Sequence, residues 1–137
     1  IDQLSDGSTL LIDYKTNAPS IQGWINQQLN EPQLPLYSIT KQGHAAKSIC
    51  YAEIKSHQVQ FKGISDSNTT ALPSGIKPID KIKTIQADDW NALRNQWQKK
   101  LLSLSTEFHQ GYAAVAPSSP TTCQFCHLHS FCRIHSS

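Results

Sequence analysis

One run leaves this sequence little freedom. Between residues 89 and 110, Trp90, Leu93, Trp97, Leu101, Leu104 and Phe108 recur at helical spacing, with Asp88 placed to cap the start and Gly111 to stop the end. A helix of roughly six turns with two tryptophans on its stripe needs an apolar surface to lie on. The upstream residues offer one as short β-type runs. After the turn signal Ser5-Asp6-Gly7, residues 8–13 read as a buried strand ending at polar Asp13-Tyr14-Lys15, with residues 1–4 as its hairpin partner. Residues 46–54 and 58–64 alternate apolar with polar across Ser56-His57, the pattern of an antiparallel hairpin. Strands that alternate with helices predict a layered α/β fold.

Between these runs lie shorter signals. Ile21, Trp24, Ile25 and Leu29 predict a short helix or helical turn, and Asn30-Glu31-Pro32 opens another that carries Leu36, Tyr37 and Ile39 and closes at Gly43. Residues 65–75 are rich in Ser, Asn, Thr, Pro and Gly and predict a loop with some mobility. Residues 76–85 carry little pattern. An extended linker at 116–120 leads to the cysteines.

The chain has 137 residues, one domain's worth. It begins at Ile1 and contains no Met, so it reads as part of a longer polypeptide, with the N-terminal part of the fold expected to be missing. The net charge is +2 and the pI near 8.4, compatible with nucleic acid but short of a dense basic footprint. No apolar run of about 18 residues and no leader pattern is present, which points away from a membrane and makes the cytoplasm the default compartment.

Asp13-Tyr14-Lys15 puts an acid and a base on the same side of an extended strand, because side chains two apart point the same way. That pair suits phosphodiester hydrolysis. Asp13 offers oxygen to a hard divalent cation, Mg2+ or Mn2+, and the backbone carbonyl of Tyr14 offers another ligand; Lys15 orients the attacking water or neutralises charge on the phosphate. Read alone, the same pair is more often an Asp and a Lys solvated or paired with each other at a strand end. Cys123, Cys126 and Cys132, spaced C-x2-C-x5-C, can converge on one metal, while Cys50 lies in an apolar strand as core filler. Zinc completed by His127, His129 or His135 is one reading of that cluster. Lys77, Lys81 and Lys83 read as a solvated face, and Trp90 and Trp97 as core.

Gly7 through Thr16, with its I-D-Y-K-T core, resembles the corresponding segment of RecB/AddB-like PD-(D/E)XK nucleases. Gln33 and Tyr37, in Glu31-Pro32-Gln33-Leu34-Pro35-Leu36-Tyr37, resemble the Q-x-x-x-Y motif of that family. Cys123, Cys126 and Cys132 followed by Arg133 resemble its terminal C-x2-C-x5-C-R. The resemblance implies a restriction-endonuclease-like fold: a mixed central sheet flanked by helices, with a nuclease core over 1–116 and a cysteine-rich staple over 117–137. It implies a metal-dependent DNA nuclease of exonuclease type in recombinational repair, with Asp13 and Lys15 catalytic, Gln33 and Tyr37 supporting the site or touching DNA, and a helicase or nuclease subunit as partner. It also implies a [4Fe–4S] cluster on the three cysteines with a fourth lying far upstream. A further metal-binding acid is expected just ahead of Ile1, in a segment whose second Asp matches Asp2, so that the chain by itself is expected to be weak or inactive. Two other functions fit the residues: a nuclease-like DNA-binding or scaffolding module without activity, and a small zinc-binding interaction domain.

Overall fold

The computed structural model describes residues 1–117 and 119–132. Two compact units divide the chain, Ile1–Leu102 and the residues from Ser103 onward. The first holds five strands in the order of the sequence: β1 (Asp2–Gln3), β2 (Thr9–Lys15), β3 (Ala46–Lys55), β4 (Gln58–Ser65) and β5 (Ile76–Pro78). The pairings alternate antiparallel, parallel, antiparallel, parallel, so the sheet is mixed as expected. A parallel neighbour cannot be reached by a tight turn. The crossover from β2 to β3 therefore carries two short helices, α1 (Gln22–Ile25) and α2 (Gln33–Ile39). A 3-10 turn at Ile79–Lys81 follows β5, and α3 (Trp90–His109) begins in the first unit and continues into the second. The second unit adds a 3-10 turn at Pro120–Cys123 and α4 (His129–Cys132).

Period-two alternation sorts the strand residues onto two faces. Leu11, Ile49, Tyr51 and Ile64 form one face with Trp24, Leu34, Trp90, Leu93 and Trp97 from the helices. Leu10, Cys50 and Ile76 form the other, with Ile12, Phe61 and Leu72 beside them. Each tryptophan buries on the order of 200 Å², worth about 5 kcal/mol before entropy, provided its indole N–H finds an acceptor. All three do. Trp24 Nε1 donates to the Tyr51 hydroxyl (2.9 Å), Trp90 Nε1 to the Ala46 carbonyl (2.9 Å) and Trp97 Nε1 to the Trp24 carbonyl (2.8 Å). α1, α3 and β3 are thus pinned to one another by bonds whose donors have no access to water. Arg94 adds a fourth tie, donating to the His44 carbonyl (3.0 Å) and to the Ser38 carbonyl near the end of α2.

Several expectations meet the structure differently. α3 is capped by Asp89, whose Oδ1 accepts the Ala92 N–H at 2.7 Å, and not by Asp88; a cap needs its side chain three residues ahead of the N–H it accepts, and Asp89 has that spacing. Of the helical stripe, Trp90, Leu93 and Trp97 are buried, whereas Leu104 and Phe108 are exposed, because the apolar period outlasts the part of α3 packed on the sheet. Gly111 does stop the helix, at φ 73° with its N–H on the Phe108 carbonyl. α2 ends at Thr40, not Gly43; Gly43 is needed for contact instead, since a Cβ there would lie 1.9 Å from the Tyr37 carbonyl oxygen. β3 does not alternate, being buried from Ser48 through Glu53, as a central strand covered on both faces must be. The loop after β4 is tethered, not loose: the Asp6 carboxylate accepts N–H bonds from Thr70 (3.0 Å) and Ala71 (3.2 Å) across more than sixty residues of sequence. With the neighbouring Ser8, these donors hold the Asp6 carboxyl well below the usual carboxylate range. No described helix is long and apolar enough to cross a membrane.

Candidate active site at the ends of β2 and β3

β2 runs apolar to polar, and its last three residues leave the core where β3 still continues beside it. Thr9 to Lys15 pair in parallel with Ala46 to Glu53, which sets Asp13 against Tyr51 and Lys15 against Glu53. Residues paired across strands share a face. Asp13, Lys15, Tyr51 and Glu53 therefore all stand on the face that carries the tryptophans, beyond the end of the apolar packing.

Lys15 Nζ lies 3.1 Å from Asp13 Oδ2, an ion-pair distance. The approach is not one that donates a hydrogen bond, and this buried oxygen accepts none. A buried carboxylate oxygen without a donor has lone pairs to offer and little water to offer them to. A hard divalent cation, which binds through oxygen, fits such a group. Among the described residues no three His, Cys, Asp or Glu side chains gather closely enough to hold one metal ion. Asp2 does not join Asp13. Its register partner is Leu10, whose face is the opposite one, and its Oδ1 accepts the N–H of Gln3 (2.9 Å).

Tyr51 fills the position beside Asp13. Its hydroxyl accepts from Trp24 and hydrogen-bonds Glu31; burial pushes the phenol up to about 12, with the negative charges of Glu31 and Asp13 acting in the same direction. Glu31 is held close by Gly23, where any Cβ would come within 2.7 Å of the Glu31 Cγ. Glu53 is the most enclosed acid of the cluster, 2% exposed. Its Oε1 accepts the Ala18 N–H (3.0 Å) and faces Lys55 Nζ (3.3 Å), and its Oε2 faces Lys62 Nζ (3.0 Å). Those donors lower its pKa to about 2, the Ala18 N–H contributing most.

Gln33 and Tyr37 share a face of α2, with Gln33 Nε2 donating to the Tyr37 hydroxyl at 3.4 Å. Both are exposed, and Tyr37 borders a small cavity with Leu11, Ile12 and Leu34 behind it. Tyr14 points away from Asp13 and is 65% exposed, which leaves only its backbone on the site side. Cys50 is buried, and burial pushes its thiol up to about 12, as expected of core filler. Cys126 and His127 are exposed, and Cys123 and Cys132 half-buried; these three cysteines are not gathered around one point. Arg133 and His135 lie outside the described residues, as does the side chain of His129.

Sequence reasoning reached Asp13 and Lys15 but passed over Glu31, Tyr51, Glu53, Lys55 and Lys62. One signal was available for Glu53, a lone acid inside the apolar run of 49–54. Residues 1–133 match the family model described as the PD-(D/E)XK nuclease superfamily. No curated protein matches the chain, and no solved structure does.

Proposed function

The chain belongs to the PD-(D/E)XK nuclease superfamily, and from that premise we propose that it cleaves DNA phosphodiesters at the Asp13–Lys15 end of β2. The buried Asp13 oxygen that accepts no hydrogen bond, with an ammonium 3.1 Å away, carries this reading. Asp13 and the Tyr14 carbonyl would hold Mg2+ or Mn2+, and a bound divalent cation supplies Lewis-acid stabilisation of charge on the phosphoryl oxygens. Lys15 orients the attacking water and offsets the charge that develops on the phosphate. The water oxygen bonds to phosphorus and gives up a proton to solvent, the P–O ester bond breaks, and the departing alkoxide takes a proton from solvent. Gln33 and Tyr37 support the site from α2 or contact the DNA.

The order of motifs along the sequence supports a narrower assignment: an exonuclease of the RecB/AddB-like type in recombinational repair, acting in the cytoplasm with a helicase subunit. The C-x2-C-x5-C spacing supports a [4Fe–4S] staple on Cys123, Cys126 and Cys132 in the intact protein, or zinc on the same residues. A small zinc-binding interaction domain is a weaker account, because it leaves Asp-x-Lys incidental in a chain that matches the nuclease family almost throughout.

A nuclease-like module that binds DNA without cutting it is the second reading, favoured because no three metal-ligating side chains gather at one point among the described residues. Cleavage of linear DNA by the intact protein in Mg2+ and in Mn2+, together with Mn2+ binding followed by its paramagnetic signal, separates the two. Metal-dependent cutting by the wild type, lost in both Asp13→Ala and Lys15→Ala, is the expected result. A wild type that binds DNA but neither cuts it nor takes up Mn2+ establishes the inactive module.

A further inference from the structure

Beside Asp13 and Lys15 the sheet carries a second charged group that the hydrolytic reading does not use. Glu53 is 2% exposed, yet it sits between two lysines that are not: the Lys55 and Lys62 side chains are 56% and 40% exposed. Burying a carboxylate costs several kcal/mol unless its lone pairs are filled, and exposed lysine pairs return little. The Ala18 N–H already satisfies Oε1, so stability alone is a poor account of two further lysines at one carboxylate. The geometry has another consequence. Each ammonium has three donors, Glu53 draws both Nζ groups to one spot, and each lysine keeps further donors for an anion arriving from solvent.

The spot lies on the reacting face. Lys55 follows Glu53 by two residues on β3, and Lys62 is the β4 partner of Tyr51, which is itself the partner of Asp13. Register thus places Lys62 two strands from Asp13, roughly 10 Å between backbones, on the same face. That span is about three nucleotides of rise along one DNA strand. Lys15, Lys55 and Lys62 set three ammonium groups along this end of the sheet against the carboxylates of Asp13, Glu53 and, beside Tyr51, Glu31.

We propose that Glu53 presents Lys55 and Lys62 as a seat for a backbone phosphate of the DNA strand flanking the one held at Asp13–Lys15. The seat deepens the nuclease reading and rests on it for the choice of ligand, but it predicts binding independently of cutting. The test is affinity for a fluorescent linear duplex as a function of salt, in EDTA, for the wild type, Lys55→Gln, Lys62→Gln, Lys62→Arg and, as a control on exposed α3, Lys99→Gln. Each phosphate contact contributes about 0.9 to the slope of log affinity against log salt. Each glutamine variant at 55 or 62 should lose about that much, which is about a 3.5-fold smaller change in affinity between roughly 50 and 200 mM salt. Lys62→Arg should restore the slope, and Lys99→Gln should match the wild type; if Lys62→Gln does not fold, the more exposed Lys55→Gln carries the test.

Metal-dependent cleavage by the intact wild-type protein is scored in parallel. Cutting with unaltered slopes in both lysine variants overturns the phosphate seat and leaves the nuclease. Lysine-dependent slopes without cutting confirm the seat and overturn the hydrolytic reading. A wild type with no affinity for the duplex at low salt overturns the seat.

Discussion

Replacing Tyr51 by Phe removes one oxygen and strands one donor. The Trp24 indole N–H gives its hydrogen to that oxygen at 2.9 Å, Trp24 is fully buried, and the rings stack tilted with centroids 4.7 Å apart. No water reaches the N–H once its acceptor is gone, so the loss is the desolvation penalty of an unpaired buried donor, about 2 kcal/mol. At about 2.1 cal/mol/K per residue, the 137 residues convert this to a fall in Tm of about 7 °C. Trp24→Phe should cost more, because it leaves a cavity as well, while the Trp24 carbonyl that serves Trp97 survives. In the Trp24→Phe background, however, removing the Tyr51 hydroxyl strands no indole, and the second change should cost only the bond to Glu31. Urea unfolding of the wild type, the two single variants and the double variant measures the difference as a coupling energy, expected at about 1–2 kcal/mol. Costs that add to within about 0.5 kcal/mol would refute the bond as the tie between α1 and β3.

Glu53 ties stability to acid pH. Its pKa falls from 4.5 to about 2 on folding, so its contribution is present above pH 4.5 and is lost as the pH drops towards 2, where the folded carboxyl also protonates. Glu53→Gln should be less stable than the wild type at neutral pH, with the gap in Tm closing across that window; a gap constant from pH 7 to pH 2 would rule out the Ala18, Lys55 and Lys62 contacts as its cause. Cys50 should resist iodoacetamide at pH 8 until the protein unfolds, since burial holds its thiol up at about 12, whereas exposed Cys126 should label in the metal-free native state. Mass spectrometry of the labelled peptides decides it, and native labelling of Cys50 would contradict its place in the sheet.

What could be read from the sequence was local. The hairpin across Ser56-His57 and the stop of α3 at Gly111 depend on turn chemistry and periodicity within a few residues, and both are found, with His57 at φ 65° where the chain reverses. β5 went unread because Ile76–Pro78 is three residues long and ends in a proline, so its strand character comes from pairing with β4 and not from its own pattern. The tether from Asp6 to Thr70 and Ala71 was invisible for the same reason: nothing near either partner announces the other.

The candidate site divides in the same way. Asp13 and Lys15 were legible because two residues apart on a strand is a geometric statement that sequence makes without help. Glu53 needed the register of β2 on β3 to stand beside Lys15, the loop at Ala18 to donate to it, and β4 to bring Lys62 across. The sequence by itself determined which helix must lie on a sheet and which acid and base share a strand end, since each follows from the period of the backbone. Only the tertiary structure decided that Asp13 has a buried oxygen without a donor and that two lysines converge on one enclosed carboxylate, because desolvation and charge pairing depend on groups that the chain brings together from far along its length.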